Sequence, residues 1–196
     1  MFHPLCQVTP SMRLPCLFFT LLCALLLRAT SVLADQTDPR LENLFSELKK
    51  ETDIGRADGI ASRIWAIWVQ HEDSQANTLM QRGIQQMNSG DMYGALQTYN
   101  RLIAQTPDFA EAWNKRATIY WLTGEFDASL KDIEAVLKLE PFHFGALSGR
   151  GLVYMDRGDY FLARGAFLTL LEVYPAMPGV KDTITQLEQV LRESAI

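Results

Sequence analysis

Few residues of this 196-residue chain could carry chemistry, and their spacing argues against catalysis. All three cysteines (Cys6, Cys16, Cys23) fall in the first 23 residues. Beyond that stretch the histidines are His71 and His143. His71 adjoins Glu72 and Asp73, types that ligate metals, but neighbouring positions at a helix end project in different directions and no second histidine lies at ligand spacing. The trio reads as a solvated helix end. His143, within Pro141-Phe142-His143-Phe144, reads as a packing residue in a helix first turn. No Gly-x-Ser-x-Gly elbow, phosphate-binding glycine loop or His-Glu-x-x-His pair occurs. Gly149-Arg150-Gly151 lies in a helical pattern and suits close packing better than a nucleotide. Acid pairs such as Asp132 and Glu134 read as solvated faces. The expectation is a chain that is not an enzyme, with no catalytic residue, no cofactor and no metal.

Composition narrows the remaining classes. A formal charge of −5, 48% apolar residues and 21% charged residues describe ordinary globular material, neither a disordered polyelectrolyte nor a polytopic membrane protein. Nothing is basic enough to suggest nucleic acid. Arg13 precedes a run from Leu14 to Leu27 that is apolar except for Thr20, and Val32-Leu33-Ala34 closes the segment before Asp35. That pattern predicts a secretory signal peptide over residues 1–34, cleaved after Ala34. The run is shorter than the roughly 20 residues that span a bilayer, although an uncleaved anchor remains the alternative. Cleavage would remove every cysteine, so the core alone must hold the mature chain. No Asn-x-Ser/Thr sequon appears. Together these features predict a periplasmic or secreted protein of bacterial type, with no membrane insertion after cleavage.

The elements that must position any surface recur with a fixed step. Pro107, Pro141 and Pro175 are evenly spaced, and Gly90, Gly124 and Gly158 keep the same interval. An acid follows each glycine: Asp91, Glu125, Asp159. Leu79, Trp113 and Leu147 keep step, as do Gly83, Ala117 and Gly151, then Tyr99, Ile133 and Phe167, then Leu102, Val136 and Leu170. One unit reads as two amphipathic helices. The first runs from about Gln75 to Met87, and Gly90 reverses the chain in the left-handed conformation. Asp91 opens the second helix as N-cap or first-turn acid. That helix carries Ala95, Tyr99 and Leu102, and Thr106-Pro107 ends it. Further helices are predicted over 109–122, 125–138, 143–156 and 159–173. The small slot (Gly83, Ala117, Gly151) lets paired helices approach closely.

This pattern resembles the tetratricopeptide repeat family. The second unit carries it as Trp113, Arg116-Ala117, Tyr120, Gly124, Phe126 and Pro141. The third carries Leu147, Arg150-Gly151, Tyr154, Gly158, Tyr160, Ala163, Phe167 and Pro175. Ser129 departs from the usual alanine, and Gln86 stands where tyrosine is usual. The resemblance implies an all-α, right-handed α-solenoid of stacked antiparallel helix pairs, about nine helices after the leader. Its predicted organisation is a degenerate N-terminal helical hairpin over 35–75, repeats over 76–109, 110–143 and 144–177, and a C-terminal capping helix over 178–196. Lys49, Arg56 and Asp73 replace the small residue, turn glycine and proline in the hairpin, which is expected to cap the first end of the array as a cap or divergent repeat. Ile184, Leu187, Val190 and Leu191 form the apolar stripe of the last helix.

The resemblance also implies a concave groove. Carried over by register, its lining is Asn77, Met80, Ile84, Met87 and Asn88, then Glu111, Asn114, Thr118, Trp121 and Leu122, then Ser148, Leu152, Met155 and Asp156. Large apolar members, three of them methionines, suit an apolar helix or extended segment of another protein. The expected function is therefore a scaffold or chaperone-like adaptor that binds a partner segment in this groove. The alternative is a structural protein whose groove is filled by its own hairpin or by a second copy, as a homodimer. Family members that clamp the C-terminal carboxylates of heat-shock chaperones use Lys, Asn, Asn, Lys and Arg. The corresponding positions here are Met80, Ile84, Lys115, Gly145 and Gly149, which argues against that partner.

Overall fold

The computed structural model describes residues 38–194; the leader expected over 1–34 lies outside them. Among the described residues there are nine α-helices and no strands: α1 (Arg40–Lys50), α2 (Ile54–Trp68), α3 (Ser74–Asn88), α4 (Met92–Gln105), α5 (Ala110–Leu122), α6 (Phe126–Leu139), α7 (Phe144–Asp156), α8 (Tyr160–Val173) and α9 (Val180–Glu193). From α3 to α8 the helices begin and end within two residues of their expected positions. They form an α-solenoid in which α3–α4, α5–α6 and α7–α8 are antiparallel pairs stacked in order.

Each pair is closed by the same local chemistry. Gly90, Gly124 and Gly158 adopt φ of 81°, 78° and 79°, a conformation that side chains with a Cβ rarely hold. The amide of the next residue reaches back across the turn each time: Asp91 N–H to the Gln86 carbonyl at 2.9 Å, Glu125 to Tyr120 at 2.7 Å, Asp159 to Tyr154 at 2.8 Å. These bonds satisfy carbonyls that the ends of α3, α5 and α7 would leave bare. Asp91 also caps α4, accepting from Gly94 N–H at 2.8 Å. Glu125 and Asp159 make no such capping bond and place negative charge at the positive end of a helix; Glu125 also accepts from the Thr123 hydroxyl at 3.1 Å, and Asp159 pairs with Arg157 at 3.1 Å.

Close packing within a pair depends on the small slot. A Cβ on Gly83 would stand 2.5 Å from the Tyr99 ring, and one on Gly151 the same distance from Phe167. The two departures from the repeat pattern are compensated. Ser129 donates to the Ala117 carbonyl at 2.8 Å, and Gln86 accepts from the Thr98 hydroxyl at 2.6 Å. Asp132 contradicts the solvated-face reading. It is buried, and Arg116 grips it through two bonds of 2.7 Å while also donating to Asn100 on α4. Such a fork positions α4, α5 and α6 together.

The N-terminal hairpin departs from expectation most. It does not stack on α3–α4 at the first end. Instead Leu41, Leu44 and Leu48 of α1 and Ala57, Ala61, Ile64, Ile67 and Trp68 of α2 share one core with Phe144 and Leu147 of α7, with α8, and with Val180, Ile184 and Leu187 of α9. The first repeat has a core of its own around Met80, Tyr99, Leu102 and Phe109. Running backward along the array, α2 and the residues just after it cross the three inter-repeat connections in turn. Asp58 accepts from the Tyr174 hydroxyl at 2.5 Å, Trp68 stacks on His143 with ring centroids 3.9 Å apart, and His71 lies 5.0 Å from the Phe109 ring. Lys49, Arg56 and Asp73 explain the choice. Without the small residue, turn glycine and proline, the hairpin lacks the features by which one repeat nests on the next. Its apolar side chains bury against the connections instead. Burying six large side chains contributes on the order of 10 kcal/mol, comparable to a whole domain's stability, so the hairpin is part of the fold and not a detachable flap.

His71 also differs from its solvated-end reading. It is buried, its Nδ1 accepts from Asp73 N–H at 3.1 Å, and its backbone exchanges two hydrogen bonds with the Asn77 side chain.

Candidate functional site

A cleft opens between α2 on one side and α5 and α7 on the other. Its volume is about 520 Å³, within the range of sites that hold small ligands or a few residues of peptide. Ala61, Ser62 and Trp65 form the α2 wall, Thr118 and Trp121 the α5 wall, and Ser148, Gly149 and Leu152 the floor. Tyr174, Met177 and Pro178 close one end.

A buried polar cluster lies beneath and fixes the three helices relative to one another. Glu111 on α5 is 1% exposed and accepts from Asn114 Nδ2 at 3.0 Å. Lys115 Nζ lies 3.0 Å from its other oxygen, and His143 Nε2 lies 3.1 Å from Oε2. His143 is the N-cap of α7, and its Nδ1 accepts from Ala146 N–H at 3.1 Å. The ring proton is therefore assigned to Nε2, which donates to Glu111. Burial alone would raise the Glu111 carboxyl, but the His143 bond and the Lys115 ammonium outweigh it and hold the group below the ordinary carboxylate range. Above the cluster, the Trp65 ring meets His143, Phe144 and Trp68 edge-on, and the Lys115 ammonium lies 5.3 Å from its centroid. Burial pushes the nearby Glu140 carboxyl up. The buried Trp68 indole N–H has no hydrogen-bond partner, and the Glu140 carboxylate acts on it without bonding geometry.

The cleft's own polar groups are largely turned inward. Thr118 donates to the Asn114 carbonyl at 3.0 Å and Ser129 to the Ala117 carbonyl. The Trp121 indole donates to Asp156 at 2.6 Å, bridging α5 and α7. What faces the opening is mostly apolar wall. Among the described residues no group of three or more His, Cys, Asp or Glu is arranged to hold a metal, and no helix is long and apolar enough to cross a membrane.

Of the fourteen groove residues expected from register, Asn114, Thr118, Trp121, Ser148 and Leu152 line this cleft. Asp156 stands exposed beside it, bound to Trp121. Met80 and Glu111 are buried rather than groove-facing, one in the first repeat's core and the other in the polar cluster. Ile84 and Met87 pack half-buried against that first core, and Met155 against the core shared with the hairpin. Asn77 is occupied by the His71 backbone, while Asn88 and Leu122 are exposed near helix ends. Register alone missed Trp65, Ala61, Gly145 and Met177. A signal existed at Gly145. A Cβ there would stand 2.7 Å from the Trp65 ring, so the glycine marks where another element sits on α7.

Comparison with known proteins agrees with this architecture. The tetratricopeptide repeat family profile matches residues 81–132 and 123–178. A TPR repeat-containing protein of Rhizobium etli is 37% identical over 152 residues, covering 78% of this chain and 74% of the relative. Sperm-associated antigen 1 of Mus musculus is 29% identical over 119 residues, which are 61% of this chain but 13% of that protein. Among solved structures, the first TPR domain of Spaghetti (RPAP3) bound to the HSP90 peptide SRMEEVD has a TM-score of 0.58 at 21% identity, covering 61% of this chain and 96% of that one. The Sgt2 TPR domain of Aspergillus fumigatus has a TM-score of 0.58 at 20% identity, covering 63% and 83%.

Proposed function

Because the chain belongs to the tetratricopeptide repeat family, we propose that it is a non-catalytic adaptor that holds a segment of another protein in the cleft between α2, α5 and α7. The carrying observation is the cleft itself: an apolar-walled recess of about 520 Å³, left open after the hairpin has taken its place along the edge. A related architecture holds a peptide in the RPAP3 structure, which supports the same use here. We further propose that the protein works outside the cytoplasm, as a periplasmic or secreted scaffold. The apolar run from Leu14 to Leu27, the small residue Ala34 and the absence of cysteine after Cys23 support export.

A photo-crosslinking residue placed at Leu152, on the cleft floor, tests the reading in envelope fractions of a producing cell. It should trap a discrete partner that the same residue at Lys131, on the exposed face of α6, does not. Equal trapping at both positions, or none at Leu152, refutes the cleft as the docking site.

A second reading has one observation in its favour: the chain's own hairpin already fills the edge of the groove. On that reading the solenoid is a closed structural unit, or pairs with a second copy as a homodimer. The first reading is preferred because the hairpin leaves Trp121, Ser148, Gly149 and Leu152 lining open space.

A further inference from the structure

The cleft's charges specify what kind of segment it can take, an inference that rests on the adaptor reading above. Its charged lining residues are Asp58 and Lys115. Lys115 is already committed, with Nζ 3.0 Å from the buried Glu111 carboxylate and its charge over the Trp65 ring. Asp58 is different. The Tyr174 hydroxyl binds its Oδ1, which leaves a second carboxylate oxygen on an exposed side chain at the α9 end of the cleft. At the other end Asp156 is exposed, held there by the Trp121 indole, and it closes the C-terminal turn of α7. That turn also carries the negative end of the α7 dipole. Most donors of the cleft are engaged: Thr118 and Ser129 donate to backbone carbonyls, Trp121 to Asp156 and Asn114 to Glu111, the Lys115 ammonium is balanced by the Glu111 carboxylate beneath it, and the hydroxyls of Ser62 and Ser148 are neutral. Between the acidic ends the floor is open. A Cβ built on Gly149 would meet only Ile133 Cδ1, at 3.6 Å, so a large side chain can lie against the backbone of α7 between Trp65 and Trp121.

We infer that the cleft accepts an extended segment with a central aromatic or large aliphatic anchor and basic flanks, and discriminates against acidic tails of the kind seen in the RPAP3 complex. The anchor desolvates against Trp65, Trp121 and Leu152, while flanking lysines or arginines meet Asp58 and Asp156. Opposite charge at exposed rims contributes more to selection and encounter rate than to final affinity, so the preference falls as salt rises.

Intrinsic tryptophan fluorescence of the full chain reads the test, with three tryptophan-free synthetic probes. One is an end-capped decapeptide with a central leucine–phenylalanine pair and lysines on both sides. The second replaces the lysines with glutamates, and the third is SRMEEVD. The lysine-flanked probe should bind at least about tenfold more tightly than the others at low salt. The Asp58→Asn, Asp156→Asn double variant should lose most of that preference, binding the lysine-flanked probe more weakly and the glutamate-flanked probe no less tightly than the wild type does. Gly149→Leu, which fills the floor, should abolish binding of all probes with an unchanged circular dichroism spectrum. If the glutamate-flanked probe or SRMEEVD binds as well as the lysine-flanked one, the charge inference is overturned and the adaptor reading stands. If no probe binds up to about 1 mM and sedimentation shows a monomer, the adaptor reading itself fails. A dimer that dissociates in Gly149→Leu would assign the cleft to a second copy and overturn the inference.

Discussion

The contact between Trp65 and Gly145 joins the hairpin to the solenoid, and adding one methyl group there measures it. In Gly145→Ala the new Cβ would stand 2.7 and 2.9 Å from two atoms of the Trp65 ring, closer than real side chains approach. That ring cannot simply swing away, because His143, Phe144 and Trp68 meet it edge-on. Overpacking of this kind costs about 1–3 kcal/mol. Replacing glycine by alanine in a helix returns up to about 1 kcal/mol, and less in a first turn. The net expectation is a destabilisation of about 0.5–2 kcal/mol. Gly149→Ala, four residues along the same helix, is the control. Its Cβ meets only Ile133 Cδ1 at an ordinary 3.6 Å, so it should stabilise by about 0.5–1 kcal/mol. Urea unfolding followed by circular dichroism gives both values. A double-mutant cycle then isolates the contact. With the ring removed by Trp65→Ala, Gly145→Ala should change sign and become neutral or stabilising, a coupling of about 1–3 kcal/mol. If Gly145→Ala costs the same with and without Trp65, the hairpin does not lie across α7 as described.

Three further outcomes test other parts of the structure. Gly124→Val should cost about 1–3 kcal/mol in a denaturant melt, since φ of 78° strains a β-branched residue even though the space beside it is open; a neutral result would contradict the turn. The Glu111 carboxyl is depressed in the folded chain, so its contribution is present above the unfolded carboxyl value of about 4.3 and disappears as pH falls through the lower folded value. Stability measured against pH should accordingly fall less steeply on the acid side in Glu111→Gln than in the wild type. Glu140 has the opposite sign, because burial raises it and its ionised form weighs against folding above its folded pKa. Glu140→Gln retains an acceptor for Phe142 N–H and should raise Tm near pH 7 but not below about pH 4; a lower Tm at neutral pH would show that the charge itself supports the fold.

The repeats were legible in the sequence because their determinants are local. A glycine that must hold positive φ, an acid at the next helix start and a proline that ends the pair act within a few residues of themselves. Their recurrence therefore marks helix boundaries directly. The small slot was legible for a similar reason: Gly83 and Gly151 each face a ring sixteen positions along, inside the same pair. Asp132 and His71 were misread because the groups that cover them lie well beyond the neighbouring residues in the chain. Asp132 is buried by Arg116 on the neighbouring helix, and His71 by the connection at Phe109.

Groove residues were half legible. Register places a side chain on the inner side of its helix, which held for Asn114, Thr118, Trp121, Ser148 and Leu152. It does not say what else shares that side, and Met80 and Glu111 are covered. The chain by itself determined a helical repeat array, its turns and its pairwise packing, all consequences of interactions within one or two helices. Only the tertiary structure decided where the hairpin goes, because its apolar stripe fits several surfaces and the outcome depends on contacts such as Tyr174 to Asp58, more than a hundred residues away. By laying α2 across the connections, that long-range choice narrows an open groove to a cleft walled by Trp65.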